Sequence, residues 1–203
     1  VRSRGLGDVY KRQVNNLSDA RYCSGMMVNV IGFNLDTNQK DGVNINSFKA
    51  ITKWIQGPKI AGEFDDMELD LIRNYLTRIE LDVIETSNPS FLAPLSDTGK
   101  EIYLKINLDS MADEKALFNK IKKGQIAHKI VICSSEKNFN KTPLKNLRNH
   151  IKKDERIVNG FNLDLKQIEF WPAIEIMASP EDKTGFKDYG EVMDILEYIN
   201  EED

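Results

Sequence analysis

The sequence predicts an α/β fold, a compact (β/α)8 barrel of the TIM type whose first strand is truncated or replaced by non-native sequence. Three observations carry that expectation. From residue 14 onward, short β-branched runs alternate with segments of helical spacing. The runs are almost continuously apolar, as strands of a parallel sheet covered by helices must be. No glycine-rich turn of the G-x-G-x-x-G or P-loop kind follows the early strands, which disfavours the competing doubly wound open sheet.

The elements follow in order. Residues 1–13 (VRSRGLGDVYKRQ) lack an initiator Met and an apolar signal-peptide core. Arg2, Arg4, Lys11 and Arg12 stand against Asp8 alone. That is a net +3, which leaves −7 for residues 14–203 against −4 for the whole chain. We read 1–13 as a non-native leader, with a transit peptide or basic arm as the alternative, and 14–203 as a single barrel domain. Strands are expected at 28–33 (VNVIGF), 59–64 (KIAGEF), 82–86 (DVIET), 101–107 (EIYLKIN), 129–134 (KIVICS), 156–161 (RIVNGF) and 173–178 (AIEIMA). Helices are expected at 18–26, 46–55, 66–76, 112–122, 142–152 and 188–199. Only short helices fit near 89–95 and 164–170. Asn16 and Asn44 stand where side-chain caps would open the first two helices. Seven strands leave one gap in an eight-stranded barrel, and hence two exposed edges unless residues 9–14 bridge them.

Composition narrows the function classes. With 203 residues the chain can bury a core without a disulfide or metal staple. Its 28 Lys+Arg against 32 Asp+Glu exclude an obvious nucleic-acid binder, and the basic helix faces read as solvated. No apolar run approaches a membrane span. Cys23 and Cys133 form neither a metal nor a disulfide framework, so a reducing cytoplasm is expected, with no cofactor. His128 and His150 lack ligand spacing and suit solvated or capping roles. Trp54 and Trp171 are expected on the barrel exterior. The oligomeric state is left open.

The stretch 16–33 (NLSDARYCSGMMVNVIGF) resembles the opening of phosphoribosylanthranilate isomerase, where K-I-C-G-I-T runs into N-L-x-D-A, a helix and a strand ending in G-F. Residues 175–188 (EIMASPEDKTGFKD) are similar to that family's last strand and loop, and 157–164 (IVNGFNLD) to its seventh strand and turn. The resemblance implies a (β/α)8 isomerase performing an Amadori rearrangement in tryptophan biosynthesis. A thiolate at the end of strand one would act as base, and a carboxylic acid at the end of strand six as acid. It also implies a small phosphorylated metabolite as ligand.

The same alignment marks departures. Arg12 falls at the base position, inside the suspected leader. Cys133 stands where the acid is expected, and a thiol is a poor acid toward an ether oxygen unless tuned; as a small buried hydrophobe it would need no such role. Glu136 is a nearby substitute. Asp41 replaces a substrate-holding arginine, which inverts the field offered to an anion. Glu85 and Glu175, on the expected fourth and eighth strands, could both face the barrel mouth and divide acid–base work. Gly160, Asn162 and Ser179 are the candidates for phosphate binding, although Asn159 and Pro180 replace residues of the family's glycine turns, and Pro180 removes an N–H. Gly160 and Gly185 could equally serve the turns alone. Glu181, Lys187 and Asp188 match the family, and Asp188 is explicable as a helix cap. The sequence thus suggests a phosphoribosylanthranilate isomerase-like protein of impaired or altered activity. The alternatives are a diverged barrel acting on or binding another anionic metabolite, and a non-catalytic interaction paralogue.

Overall fold

A computed structural model describes residues 8–65, 67–135, 154–161, 164–168, 171–177 and 190–200. Eight parallel strands close into a barrel in sequence order. They are β1 (Val9–Arg12), β2 (Val30–Asn34), β3 (Lys59–Glu63), β4 (Val83–Thr86), β5 (Glu101–Asn107), β6 (Lys129–Cys133), β7 (Ile157–Gly160) and β8 (Ile174–Met177). The seven expected strands are all present.

The eighth is the bridge that residues 9–14 had to supply for the barrel to close without two exposed edges. Val9–Arg12, inside the segment read as a leader, forms β1 and pairs with β8 along its length and with β2 at Tyr10 and Lys11. Its four residues alternate like any barrel strand: Val9 packs outward among the covering helices, Tyr10 and Arg12 point inward, and Lys11 Nζ donates to the Met177 carbonyl at 2.8 Å. Basic residues had disguised a strand pattern that the two edges of a seven-stranded sheet demand.

The outer layer among the described residues comprises α1 (Leu17–Gly25), α2 (Ile45–Thr52), α3 (Leu69–Leu76), α4 (Leu92–Ser96), α5 (Glu114–Lys123), α6 (Leu165–Ile168) and α7 (Gly190–Asn200). Short 3-10 turns at Pro89–Phe91 and Leu108–Ser110 precede α4 and α5. Asn16 and Asn44 do cap α1 and α2, their side chains accepting from the Asp19 and Ser47 amides. The helix expected at 142–152 lies outside the described residues. Ile72 of α3, Leu117 of α5 and Val192, Ile195 and Leu196 of α7 face the sheet, joining Ile31, Phe33, Ile84, Ile102 and Ile132 in the main core. Trp171 belongs to this exterior layer and stacks edge-on against Phe161 at 5.3 Å, whereas Trp54 is 63% exposed. His128 is exposed, and its Nδ1 accepts from the Ile102 amide at the start of β5. Among the described residues, no helix is long and apolar enough to cross a membrane.

Inside the barrel the first ring of side chains is apolar or aromatic: Tyr10, Val30, Ala61, Val83, Tyr103, Val131, Val158 and Ala173. Two residues further along each strand, on the same inward face, stand Arg12, Gly32, Glu63, Glu85, Lys105, Cys133, Gly160 and Glu175. This second ring lies toward the C-terminal ends of the strands, the face on which barrel enzymes build their sites.

Candidate active site

Arg12 is the centre of the second ring. Its Nη1 donates to Glu175 Oε1 at 2.8 Å, its Nη2 and Nε donate to Glu63 Oε2 at 3.0 and 3.1 Å, and Nε lies 3.4 Å from Glu85 Oε1. All four side chains are at most 2% exposed. The next residue adds to the cage, since the Gln13 amide donates to Glu63 Oε1 at 2.9 Å. Gln13 has φ 55°, a left-handed conformation that costs a side-chain-bearing residue and suits glycine. It occupies the position of the glycine in the K-I-C-G-I-T pattern.

Two ring positions are small because the carboxylates need their space. A Cβ at Gly32 would overlap Glu63 Oε1, and a Cβ at Gly160 would overlap Glu175 Oε2. Gly160 is thus packed directly against the neighbouring Glu175 carboxylate. Asn162 and Ser179, its companions in the phosphate expectation, lie outside the described residues, as do Glu136, His150, Pro180, Glu181, Gly185, Lys187 and Asp188.

Burial of so many charges shifts their protonation. Removal from water pushes Glu85 up to about 8; Arg12 and Lys105 oppose the shift, and Glu63 and Asp65 add to it. Burial also raises Glu175, against the pull of Arg12. For Arg12 burial disfavours the charge, but Glu63, Glu175 and Glu85 together outweigh it and hold the guanidinium well above its usual range. Desolvation, reinforced by Glu85 and Glu63, likewise raises the Tyr10 phenol beneath the cage.

A second ion pair lies nearer the solvent. Lys105 of β5 reaches Asp65, just beyond the end of β3, and the two side chains are 12% and 19% exposed. Ser87 Oγ donates to the Asp65 carbonyl at 2.6 Å and holds that turn. Burial and Arg12 pull the Lys105 ammonium down, but Asp65 and Glu85 outweigh them and it stays charged.

Cys133 ends β6, buried beside Lys105 on the neighbouring strand, with its Sγ 3.7 Å from the Ile106 carbonyl. Burial, with Glu175 adding, pushes its thiol up to about 12, the opposite of an activated cysteine. Asp41 is exposed in the loop after β2. That loop is folded on itself: Asn34 Oδ1 accepts from the Asp36 amide, Asn34 Nδ2 donates to Gln39 Oε1, and the Val43 amide donates to the Asn34 carbonyl.

The structure thus brings Glu85, Glu175 and Cys133 into one ring, together with Gly160, and it adds Glu63, Lys105 and Asp65, which sequence reasoning passed over. A signal was available. Beyond the charges that open KIAGEF, DVIET and EIYLKIN, these runs and AIEIMA each carry one further along, at Glu63, Glu85, Lys105 and Glu175, and all four fall in the inward phase two residues beyond an apolar inward residue.

This architecture defines a compact (β/α)8 barrel with an apolar floor and a charged centre. No protein-family model and no curated protein sequence matches the chain. Solved structures do. The chain is similar to the phosphoribosyl anthranilate isomerase of Thermotoga maritima, with a TM-score of 0.74 at 12% identity over 97% of this chain and 100% of that one. It is similar also to the enzyme of Thermus thermophilus (TM-score 0.73, 13% identity, 96% and 98% covered) and to that of Pyrococcus furiosus (0.72, 11%, 96% and 99%). The chain therefore has a phosphoribosyl anthranilate isomerase-like fold. At such identities the likeness carries the fold, and the chemistry has to be argued from the ring itself.

Proposed function

We propose that this chain is a phosphoribosylanthranilate isomerase-like barrel whose isomerase activity is impaired or altered. The observation that carries the reading is the state of its two proton-transfer positions. At the base position stands Arg12, a permanent cation hydrogen-bonded to Glu63 and Glu175 with Glu85 3.4 Å away, which has no lone pair to take a proton. At the acid position stands Cys133, a thiol raised to about 12 that gives up its proton too reluctantly to serve as acid near neutrality. Asp41 in place of a substrate-holding arginine acts in the same direction. The test is turnover of phosphoribosylanthranilate, followed by the fluorescence of its anthranilate group. No rate above the uncatalysed one is expected from the chain as it stands. Measurable turnover from the double variant Arg12→Cys, Cys133→Asp would show that the rest of the site is competent. Efficient turnover by the unmodified chain sinks the reading.

A second reading, a barrel acting on a different metabolite, is favoured by Glu85. A carboxyl held up to about 8 is suited to general acid–base work near neutrality. On this reading Glu85 and Glu175 are the working pair, and any activity found with another phosphorylated or anionic metabolite disappears in Glu85→Gln.

A further inference from the structure

We propose that Glu63, Glu85 and Glu175 form a binding site for a planar guanidinium-type cation, and that Arg12 fills this site as a built-in occupant. The proposal does not rest on the isomerase-like reading. Its first support is where the parts come from. The carboxylates stand on β3, β4 and β8, and Gly32 and Gly160, on β2 and β7, clear the space over which Glu63 and Glu175 lean. Every element of the acidic cradle thus belongs to residues 14–203. The cation comes from β1 and the Gln13 amide that also binds Glu63 follows it, both within the basic segment whose charge sets it apart from the rest of the chain.

The second support is the fit. Three nitrogens of one flat group meet two carboxylates at 2.8–3.1 Å and a third at 3.4 Å. That arrangement reads a planar fork, and a spherical ammonium would satisfy fewer of its acceptors. The third support is surplus capacity. Both Glu85 oxygens and Glu175 Oε2 are buried without a hydrogen-bond partner among the described residues, and all three belong to the cradle around the guanidinium. The cradle offers more acceptors than Arg12 uses, as a pocket shaped for a cation does and a tailored internal ion pair need not.

Beneath the cradle, Tyr10 and Tyr103 meet edge to face at 5.9 Å and form a rigid apolar floor. Lys105 and Asp65 stand on the solvent side. The ligand such a site would take is a guanidinium or amidinium group presented through the C-terminal mouth, and emptying it requires removal of the Arg12 side chain.

The experiment is chemical rescue of the full chain carrying Arg12→Gly. Thermal melts are recorded with guanidinium chloride up to about 20 mM, against matched NaCl and matched urea. Guanidinium should raise the melting temperature saturably by about 2–5 °C, because a ligand that binds only the folded state stabilises it by mass action. NaCl supplies ionic strength and urea a neutral planar molecule of similar size, and neither should reproduce the rise. The unmodified chain, its site filled, should not respond. Adding Glu63→Gln and Glu175→Gln to the Arg12→Gly chain should abolish the response. If Arg12→Gly alone has no cooperative melt, guanidinium should restore one. Absence of any guanidinium-specific rise or restoration, an equal response to urea, or a response that survives loss of the two carboxylates overturns the proposal.

Discussion

The floor of the barrel is filled by volume and the ring above it by charge, although two residues separate them on every strand. Tyr10 and Tyr103 are set against Ala61 and Ala173, large against small, and no ionised group interrupts that layer. One step up, Arg12, Glu63, Glu85 and Glu175 are sealed as thoroughly as the tyrosines. Burying a valine from the floor stabilises the fold by about 1.5–3 kcal/mol. Burying an ion pair returns roughly what its desolvation costs, and apolar residues of similar shape would often do as well or better. The floor is therefore explained by stability and the ring is not. The charges stand on the face where barrels build their sites, which makes the ring the candidate for recognition or chemistry.

The comparison breaks most directly at Arg12. Replacing it by Met leaves the buried Glu63 and Glu175 carboxylates without their cation, and the cost should be about 3–5 kcal/mol, the range for removing one partner of a buried ion pair. Urea unfolding measures it. A loss below about 1 kcal/mol would mean that water already reaches the carboxylates and that the ring is part of an open mouth.

Gly160 separates two explanations of one residue. If it is small to accommodate Glu175, Gly160→Ala overpacks the ring and costs about 1–3 kcal/mol. Shortening the carboxylate with Glu175→Asp should then recover part of that loss in the double variant, beyond the sum of the single changes. Additive losses would return Gly160 to the role of a turn or phosphate-cradling glycine.

The two layers should also differ in their response to pH. Glu85 keeps its proton to about pH 8 in the folded barrel, while its ordinary value is 4.5. Between those values the folded state binds more protons than the unfolded one, so this group's contribution is fully present at the acid end, declines as pH rises through the window and levels off above it. One such group gives a slope of at most about 1.4 kcal/mol per pH unit. Glu85→Gln should flatten the decline, whereas Val83→Ala on the floor of the same strand should lower stability equally at every pH. Parallel pH curves for the unmodified chain and Glu85→Gln would show Glu85 to be ionised throughout.

How much of this could be read in advance follows the same division. Seven strands and most helices were legible because continuous apolar runs and 3.6-residue stripes report burial directly. β1 was legible only as the bridge that closure would need at 9–14, because Lys11 and Arg12 look like a solvated leader until the barrel supplies each with an acceptor. In the ring, Glu85 and Glu175 were identifiable as charges inside strands. Arg12 was placed at the base position, but its contacts and the part of Glu63 and Lys105 were not legible, since these residues are distant in sequence and meet only when eight strands fix their inward phase. Gly160 shows the converse. Its turn was recognised, but the carboxylate that a side chain there would meet comes from the neighbouring strand.

The smallest expected effect concerns Cys133, where the apolar and charged readings of the barrel meet. It stands in the charged ring yet is handled like a floor residue: buried, with its thiol raised to about 12. A thiol that is neither exposed nor ionised does not react, so at pH 8 the folded chain should be almost inert toward a thiol-specific disulfide reagent and react fully once unfolded. Cys23 is equally buried, so both cysteines should be silent together. Cys133→Ala should cost about 1 kcal/mol, the price of a small cavity, and leave the pH curve unchanged. Rapid labelling of Cys133 in the folded chain would instead place a reactive thiolate among Lys105 and Glu175. The position would then belong with the charges around it, and its raised thiol could no longer count against acid–base chemistry at the end of β6.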